Sequence, residues 1–177
     1  MSQPTACDDA RSCPVRARAT VGYCGRCDLL VGLPGVHVIV VSEPVDGVLR
    51  VVVETPTEPM GCRSCGVVAR ARGRREVSLV DVPCTGRSVR LVWRKRTWRC
   101  PELTCPVGSF TEHDDDLARP RALLTACAAR WAAKQMRREH ACAAGLARQL
   151  GTTWRTVWRA VKPLLVAMAA DPARLMA

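Results

Sequence analysis

Two β-branched runs stand out: residues 36 to 41 (Val-His-Val-Ile-Val-Val) and 48 to 53 (Val-Leu-Arg-Val-Val-Val). Separated by Ser-Glu-Pro-Val-Asp-Gly, they predict a β-hairpin turning at Asp46-Gly47, with His37 as a strand residue. Further along, Val89, Leu91 and Trp93 alternate with Arg90, Val92 and Arg94, the period of two of a half-buried strand. From Arg121 the period lengthens. Leu124, Cys127, Ala128, Trp131, Ala132 and Gln135 recur at three to four residues and predict an amphipathic helix. Residues 142 to 161 then carry the grammar of two short helices around a turn. Leu146, Ala147 and Leu150 share one face, Gly151 supplies the left-handed stop, and Thr153 caps a second helix whose Val157, Ala160 and Val161 point inward. Trp93, Trp98 and Trp131 fall at periodic apolar positions and are expected in the core.

The fold class expected is α+β: an N-terminal β-hairpin, a zinc ribbon, then a helical helix-turn-helix domain. Residues 1 to 28 lack apolar periodicity and read as a poorly ordered extension. Residues 29 to 59 hold the hairpin and a linker marked by Pro56 and Pro59, residues 60 to 116 the ribbon, and residues 117 to 177 the helices. Asp114-Asp115-Asp116 reads as a solvated boundary and helix start, not as an acidic site, since no partner acid follows at a fixed spacing.

The ribbon rests on cysteine spacing. Cys62-Arg-Ser-Cys65 and Cys100-Pro-Glu-Leu-Thr-Cys105 are two close pairs, and thiolates in sets of four are the tetrahedral donor set of Zn²⁺. The segment between them has room for a strand pair, so the two knuckles would close one end of a small antiparallel sheet. Four unrelated buried thiols are the competing reading. Cys84 lacks a close partner and reads as a buried or free thiol. Cys24-Gly-Arg-Cys27 also has knuckle spacing, but Cys7 and Cys13 are badly spaced to complete a second site, which stays open. Eleven cysteines, an odd count, favour metal and a reducing cytoplasm over disulfides.

Charge points to a partner. Residues 1 to 60 hold 5 Lys+Arg against 7 Asp+Glu, whereas residues 61 to 177 hold 22 against 9, within an overall net charge of +11. Such asymmetry suits a phosphate backbone. Only three of the 27 basic residues are lysines, which fits bidentate phosphate and guanine contacts and equally fits a GC-rich genome. The most apolar stretch, residues 29 to 41, is too short to span a membrane and is broken by Gly32, Pro34 and Gly35. In the helix-turn-helix, Thr153, Trp154, Arg155, Thr156, Trp158 and Arg159 lie on the outer side near the helix start, the part such motifs place in the major groove. These six are the expected DNA contacts. Arg155 and Arg159 suit bases or phosphates; the tryptophans suit sugars and thymine methyls, or packing on the preceding helix. An ordinary helical hairpin is the competing reading.

The order of hairpin, Cys-x-x-Cys, Asp-Val-Pro-Cys-Thr-Gly-Arg-Ser-Val-Arg-Leu, Trp-Arg-Lys-Arg-Thr-Trp-Arg-Cys, Cys-Pro, Phe-Thr-Glu and Leu-Ala-Arg-Gln-Leu-Gly-Thr-Thr-Trp-Arg-Thr-Val resembles the N-terminal part of bacterial insertion-sequence transposases of the ISL-three type, over residues 29 to 177. The resemblance implies zinc on Cys62, Cys65, Cys100 and Cys105, and recognition of terminal inverted repeats in double-stranded DNA. In that family a DDE catalytic domain of RNase H-like fold follows. This chain stops about where that domain would begin, and Cys84 stands where the family usually has an aromatic or similar residue. The expectation is therefore a DNA-binding fragment that is not itself an enzyme, nucleoid-associated in a bacterial cytoplasm, alone, as a homo-oligomer, or joined to full-length transposase. A stand-alone helix-turn-helix transcriptional regulator with a zinc ribbon is the alternative. A zinc-ribbon protein binding RNA or another protein is the third reading, which would depend on Arg94 and Arg96.

Overall fold

The computed structural model describes residue 23, residues 25 to 43 and residues 46 to 170. Among these residues it is an α+β chain with helices and a five-stranded sheet. The strands are β1 (His37–Ser42), β2 (Leu49–Glu54), β3 (Arg70–Cys84), β4 (Arg87–Arg99) and β5 (Ser109–Thr111). Their order is β1-β2-β4-β3, with β5 pairing antiparallel to the end of β4 through Thr97↔Thr111, Trp98↔Phe110 and Arg99↔Ser109. The chain divides into two compact units. Among the described residues, one comprises those up to Ser42 with Arg50–Ser78 and Leu91–Asp114; the other comprises those between Glu43 and Leu49, Leu79–Arg90, and those from Asp115 to Ala170.

In the first unit the expected hairpin forms, β1 against β2 from His37↔Glu54 to Ser42↔Arg50, with an irregularity between Val38 and Val40. The hairpin is continuous with the ribbon strands, because β2 lies beside β4. Leu91, Val92 and Trp93 are consecutive buried residues, so β4 is covered on both faces and its alternation is partly masked. Trp98 is buried as expected.

Two arginines of this strand do internal work. Arg94 pairs with the buried Glu54 at 2.8 Å, and Arg74 pairs with the same carboxylate. Arg96 is itself buried, and its Nη2 donates to the Thr55 carbonyl and to Thr57 Oγ1, both at 2.9 Å. Its backbone N–H donates to Glu112 Oε1 at 2.8 Å. Buried charges persist only with partners of this kind.

The unit also corrects the expected extension at its C-terminal end. Residues 25 to 28 belong to helix α1 (Gly25–Val31), which packs on β1. Asp28 explains the anchoring: its Oδ1 accepts from Val38 N at 2.7 Å, its Oδ2 meets His37 Nδ1 at 2.9 Å, and Tyr23 stacks on the His37 ring. No local periodicity signals such a contact. Cys7, Cys13 and Cys24, the other cysteines of the second candidate metal site, lie outside the described residues.

In the second unit β3 and β4 meet at a two-residue turn, Thr85 and Gly86, both with positive φ as a type I′ hairpin requires. Helices α2 (Ala126–Arg138), α3 (Ala143–Leu150) and α4 (Trp154–Ala169) surround a core of Leu146, Leu150, Val157, Val161, Ala128 and Ala132, joined by Val80. Trp131 is half-buried against this core.

The first of these helices begins later than the periodicity predicts. Arg121 has φ 61, and residues 122 to 125 run alongside β3, with Val80 N donating to the Leu123 carbonyl at 2.8 Å and Thr125 N to the Val80 carbonyl at 3.0 Å. The acidic run does not start the helix. Thr125 caps it, fully buried, its Oγ1 accepting from Ala128 N at 3.0 Å and donating to Asp81 Oδ1 at 2.6 Å.

Burial pushes the Asp81 carboxyl up, against the Thr125 hydroxyl and the Val82 N–H that pull it down. A carboxyl whose folded pKa is raised adds stability below its unfolded pKa and loses it as the pH climbs through the folded value. Asp81→Asn keeps the acceptor without the charge. It is expected to raise stability at pH 7 by on the order of 1 kcal/mol, and to match the wild type below about pH 4, as read from urea midpoints.

Gly151 ends α3 with φ 62, its N–H shared between the carbonyls of Ala147 and Arg148, while Thr152 N donates to the Ala147 carbonyl at 2.9 Å. A Cβ there would come within 2.8 Å of Ser88 Oγ. Gly151→Ala is expected to destabilise by about 1–2 kcal/mol in thermal melts, through left-handed strain plus this clash.

Candidate metal centre and helix pair

The two knuckles stand at the outer ends of the β3–β4 pair. In the first, Gly66 N donates to the Cys62 carbonyl and Cys62 N to the Val67 carbonyl, both at 2.8 Å; Gly66 has φ 75. In the second, Cys100 N donates to the Gly108 carbonyl at 3.2 Å and Cys105 N to the Glu102 carbonyl at 3.3 Å. These turns bring the Sγ atoms of Cys62, Cys65, Cys100 and Cys105 within 4.8 Å of one another. The Cys62–Cys105 separation is 3.7 Å and the Cys65–Cys100 separation 3.5 Å. The set can hold a metal ion.

The thiols are tuned apart. Backbone N–H groups of Cys65 and then Ser64 draw Cys62 down to about 6, whereas burial pushes Cys100 up to about 12. At Cys65 the Val67 N–H pulls downward, but burial together with the Cys105 and Cys62 thiols prevails and raises it. Four thiolates in one cluster repel, so complete ionisation calls for a cation among them. Cys84 is an exposed free thiol beside the Thr85-Gly86 turn and is not part of this set.

The six outer positions expected on the second helix of the pair lie at the start of α4. Thr153 Oγ1 accepts from Thr156 N at 3.3 Å and meets Thr156 Oγ1 at 2.9 Å, so both threonines serve the cap, with Thr156 half-buried. Trp154 and Trp158 are 53% and 41% exposed. Arg155 and Arg159 are exposed, and the Arg155 guanidinium lies 5.7 Å from the centre of the Trp154 ring. Beneath them Val157 and Val161 are fully buried.

Ser88 and Arg90, which sequence reasoning passed over, hold the turn between the helices. Ser88 Oγ donates to the Gln149 carbonyl at 3.0 Å, and Arg90 donates through Nη1 to the Leu150 carbonyl at 3.4 Å and through Nη2 to the Gly151 carbonyl. Some 60 residues of chain separate them from that turn, so no local pattern could have flagged them.

No protein-family model, curated protein or solved structure matches the chain. Among the described residues, no helix is long and apolar enough to cross a membrane.

Proposed function

We propose that the chain is a zinc-organised, sequence-specific DNA-binding protein that recognises the terminal inverted repeats of an insertion sequence, as the resemblance to ISL-three transposases implies. Its task is recognition, in association with the nucleoid. The observation that carries the reading is the start of α4: two half-exposed tryptophans and two exposed arginines on one helical end, set by a Thr153 cap and a Gly151 turn over a buried underside. An aromatic and cationic helix start without apolar cover is suited to the major groove. Zinc is the ion favoured for the cysteine set. A tetrahedron with metal–sulfur arms of about 2.3 Å has edges of about 3.8 Å, close to the sulfur separations found.

A ribbon-centred RNA or protein partner is disfavoured, because Arg94 and Arg96 are committed to Glu54 and to Thr55 and Thr57. The test is selection from a random duplex pool with the zinc-loaded protein, alongside an Arg155→Ala, Arg159→Ala variant. One enriched motif, lost in the variant, is expected. Salt-sensitive binding without enrichment would overturn sequence recognition. Enrichment of a motif foreign to any repeat flanking the reading frame would turn the reading to a regulator.

A further inference from the structure

Within the second unit a groove of about 710 Å³ runs between the turn before α2, the start of α2 and the middle of α4. Arg119, Arg121, Arg130, Thr156 and Arg159 line it, over an apolar floor that includes Ala129 and Ala160. Three exposed residues of the first turns of α4, Trp154, Arg155 and Trp158, do not line it. Resting on the DNA-binding reading, we propose that this groove is a clamp for the phosphodiester backbone of one DNA strand, so that Arg159 holds phosphate while Arg155, flanked by the two tryptophans, reads bases.

Four arginines line one groove, and a guanidinium fork matches phosphate oxygens bidentately. Two acids, Asp115 and Asp116, also line the groove, each with an interaction of its own. Charge therefore favours an anion by four groups to two. The presenting turn is anchored rather than loose. Ala122 N donates to the Arg119 carbonyl at 3.1 Å, and Leu123 and Thr125 are tied to Val80 immediately afterwards. Arg121 has φ 61, a conformation that costs a non-glycine residue about 1 kcal/mol and that recurs at functional sites. A stretch of DNA backbone laid in the groove would run beside the exposed face of α4, which is where a strand must pass when a helix enters the major groove.

Phosphate contacts add affinity that is blind to sequence and sensitive to salt; base contacts discriminate. The experiment is fluorescence anisotropy of the full zinc-loaded chain on the enriched duplex and on a scrambled duplex, across a salt series. Arg119→Gln and Arg130→Gln are expected to weaken both duplexes by the same factor, about tenfold each, and to lower the salt slope by about one per contact removed. Arg121→Asn, which tolerates the left-handed backbone, is expected to do the same. Arg155→Ala is expected to collapse the ratio between the duplexes. Asp115→Asn with Asp116→Asn is expected to tighten both, a gain that misfolding cannot imitate.

Groove variants that leave affinity and salt slope unchanged while the wild type still discriminates would overturn the clamp alone, and would leave the groove to some other occupant such as an acidic peptide. Groove variants that erase discrimination would overturn the division of roles. A wild type that prefers neither duplex, yet loses affinity in the groove variants, would overturn base reading by α4 and leave the clamp standing. Absence of binding to either duplex would overturn both.

Discussion

Stripping the metal from the Cys62, Cys65, Cys100 and Cys105 set is expected to unfold the knuckle end of the first unit. Structural zinc on cysteine sets contributes about 10–16 kcal/mol at neutral pH, comparable to a small domain's whole stability. The two knuckles are held otherwise by a few backbone hydrogen bonds and by β5, a strand of three residues. Trp93 and Trp98 are the reporters, being almost completely buried on β4. A chelator is expected to shift their fluorescence to the red and to broaden and lower the melting transition, and added Zn²⁺ to reverse both. Cys100→Ser should reproduce the loss without chelator. An unchanged melt after demonstrated metal removal would sink the structural role.

The pH sign follows from the thiols. The metal takes thiolates, and Cys65 and Cys100 hold their protons more tightly than an ordinary cysteine when no cation is present. Loading therefore releases protons, and apparent affinity is expected to fall as the pH drops. Zinc titrations with a competing chelator at pH 7.5 and pH 6.5 would read the change directly.

What could be read from the chain in advance was local. The knuckle spacing, the Asp46-Gly47 turn, the Gly151 stop and the Thr153 cap each depend on a handful of neighbouring residues whose conformational preferences are intrinsic, and the inward set Leu146, Leu150, Val157 and Val161 follows from period alone. The unread features depend on residues far apart in sequence. That β2 lies beside β4 is a pairing across some forty residues, and strand order leaves no mark in a strand's own composition. Thr125 caps α2 instead of the acidic run because Val80 and Asp81 of β3 hold residues 123 to 125 extended. Arg96 sits in a basic stretch that looks solvent-facing, yet it is buried because Thr55, Thr57 and Glu112 converge on it. The groove arginines Arg119, Arg121 and Arg130 fall outside any motif.

Leu150→Ala is expected to be the most damaging single substitution in the second unit, at about 2–5 kcal/mol. Leu150 is fully buried in the last turn of α3, within the same cluster as Leu146, Val157 and Val161. The backbone around it has little freedom to close the space. Its carbonyl is held by Arg90, the next residue is the left-handed Gly151, and Gln149 is held by Ser88. A rigid surround leaves a larger cavity, and the cost of a truncation rises with the cavity that remains. Leu123→Ala and Val166→Ala are the comparison, since both side chains are more than half exposed and should change stability by less than about 0.5 kcal/mol. Urea unfolding followed by far-ultraviolet circular dichroism would place the three variants on one scale. A Leu150→Ala midpoint no lower than that of Val166→Ala would mean that α3 is not seated on this core. In that event the turn presenting Trp154 and Arg155 would lose its physical basis.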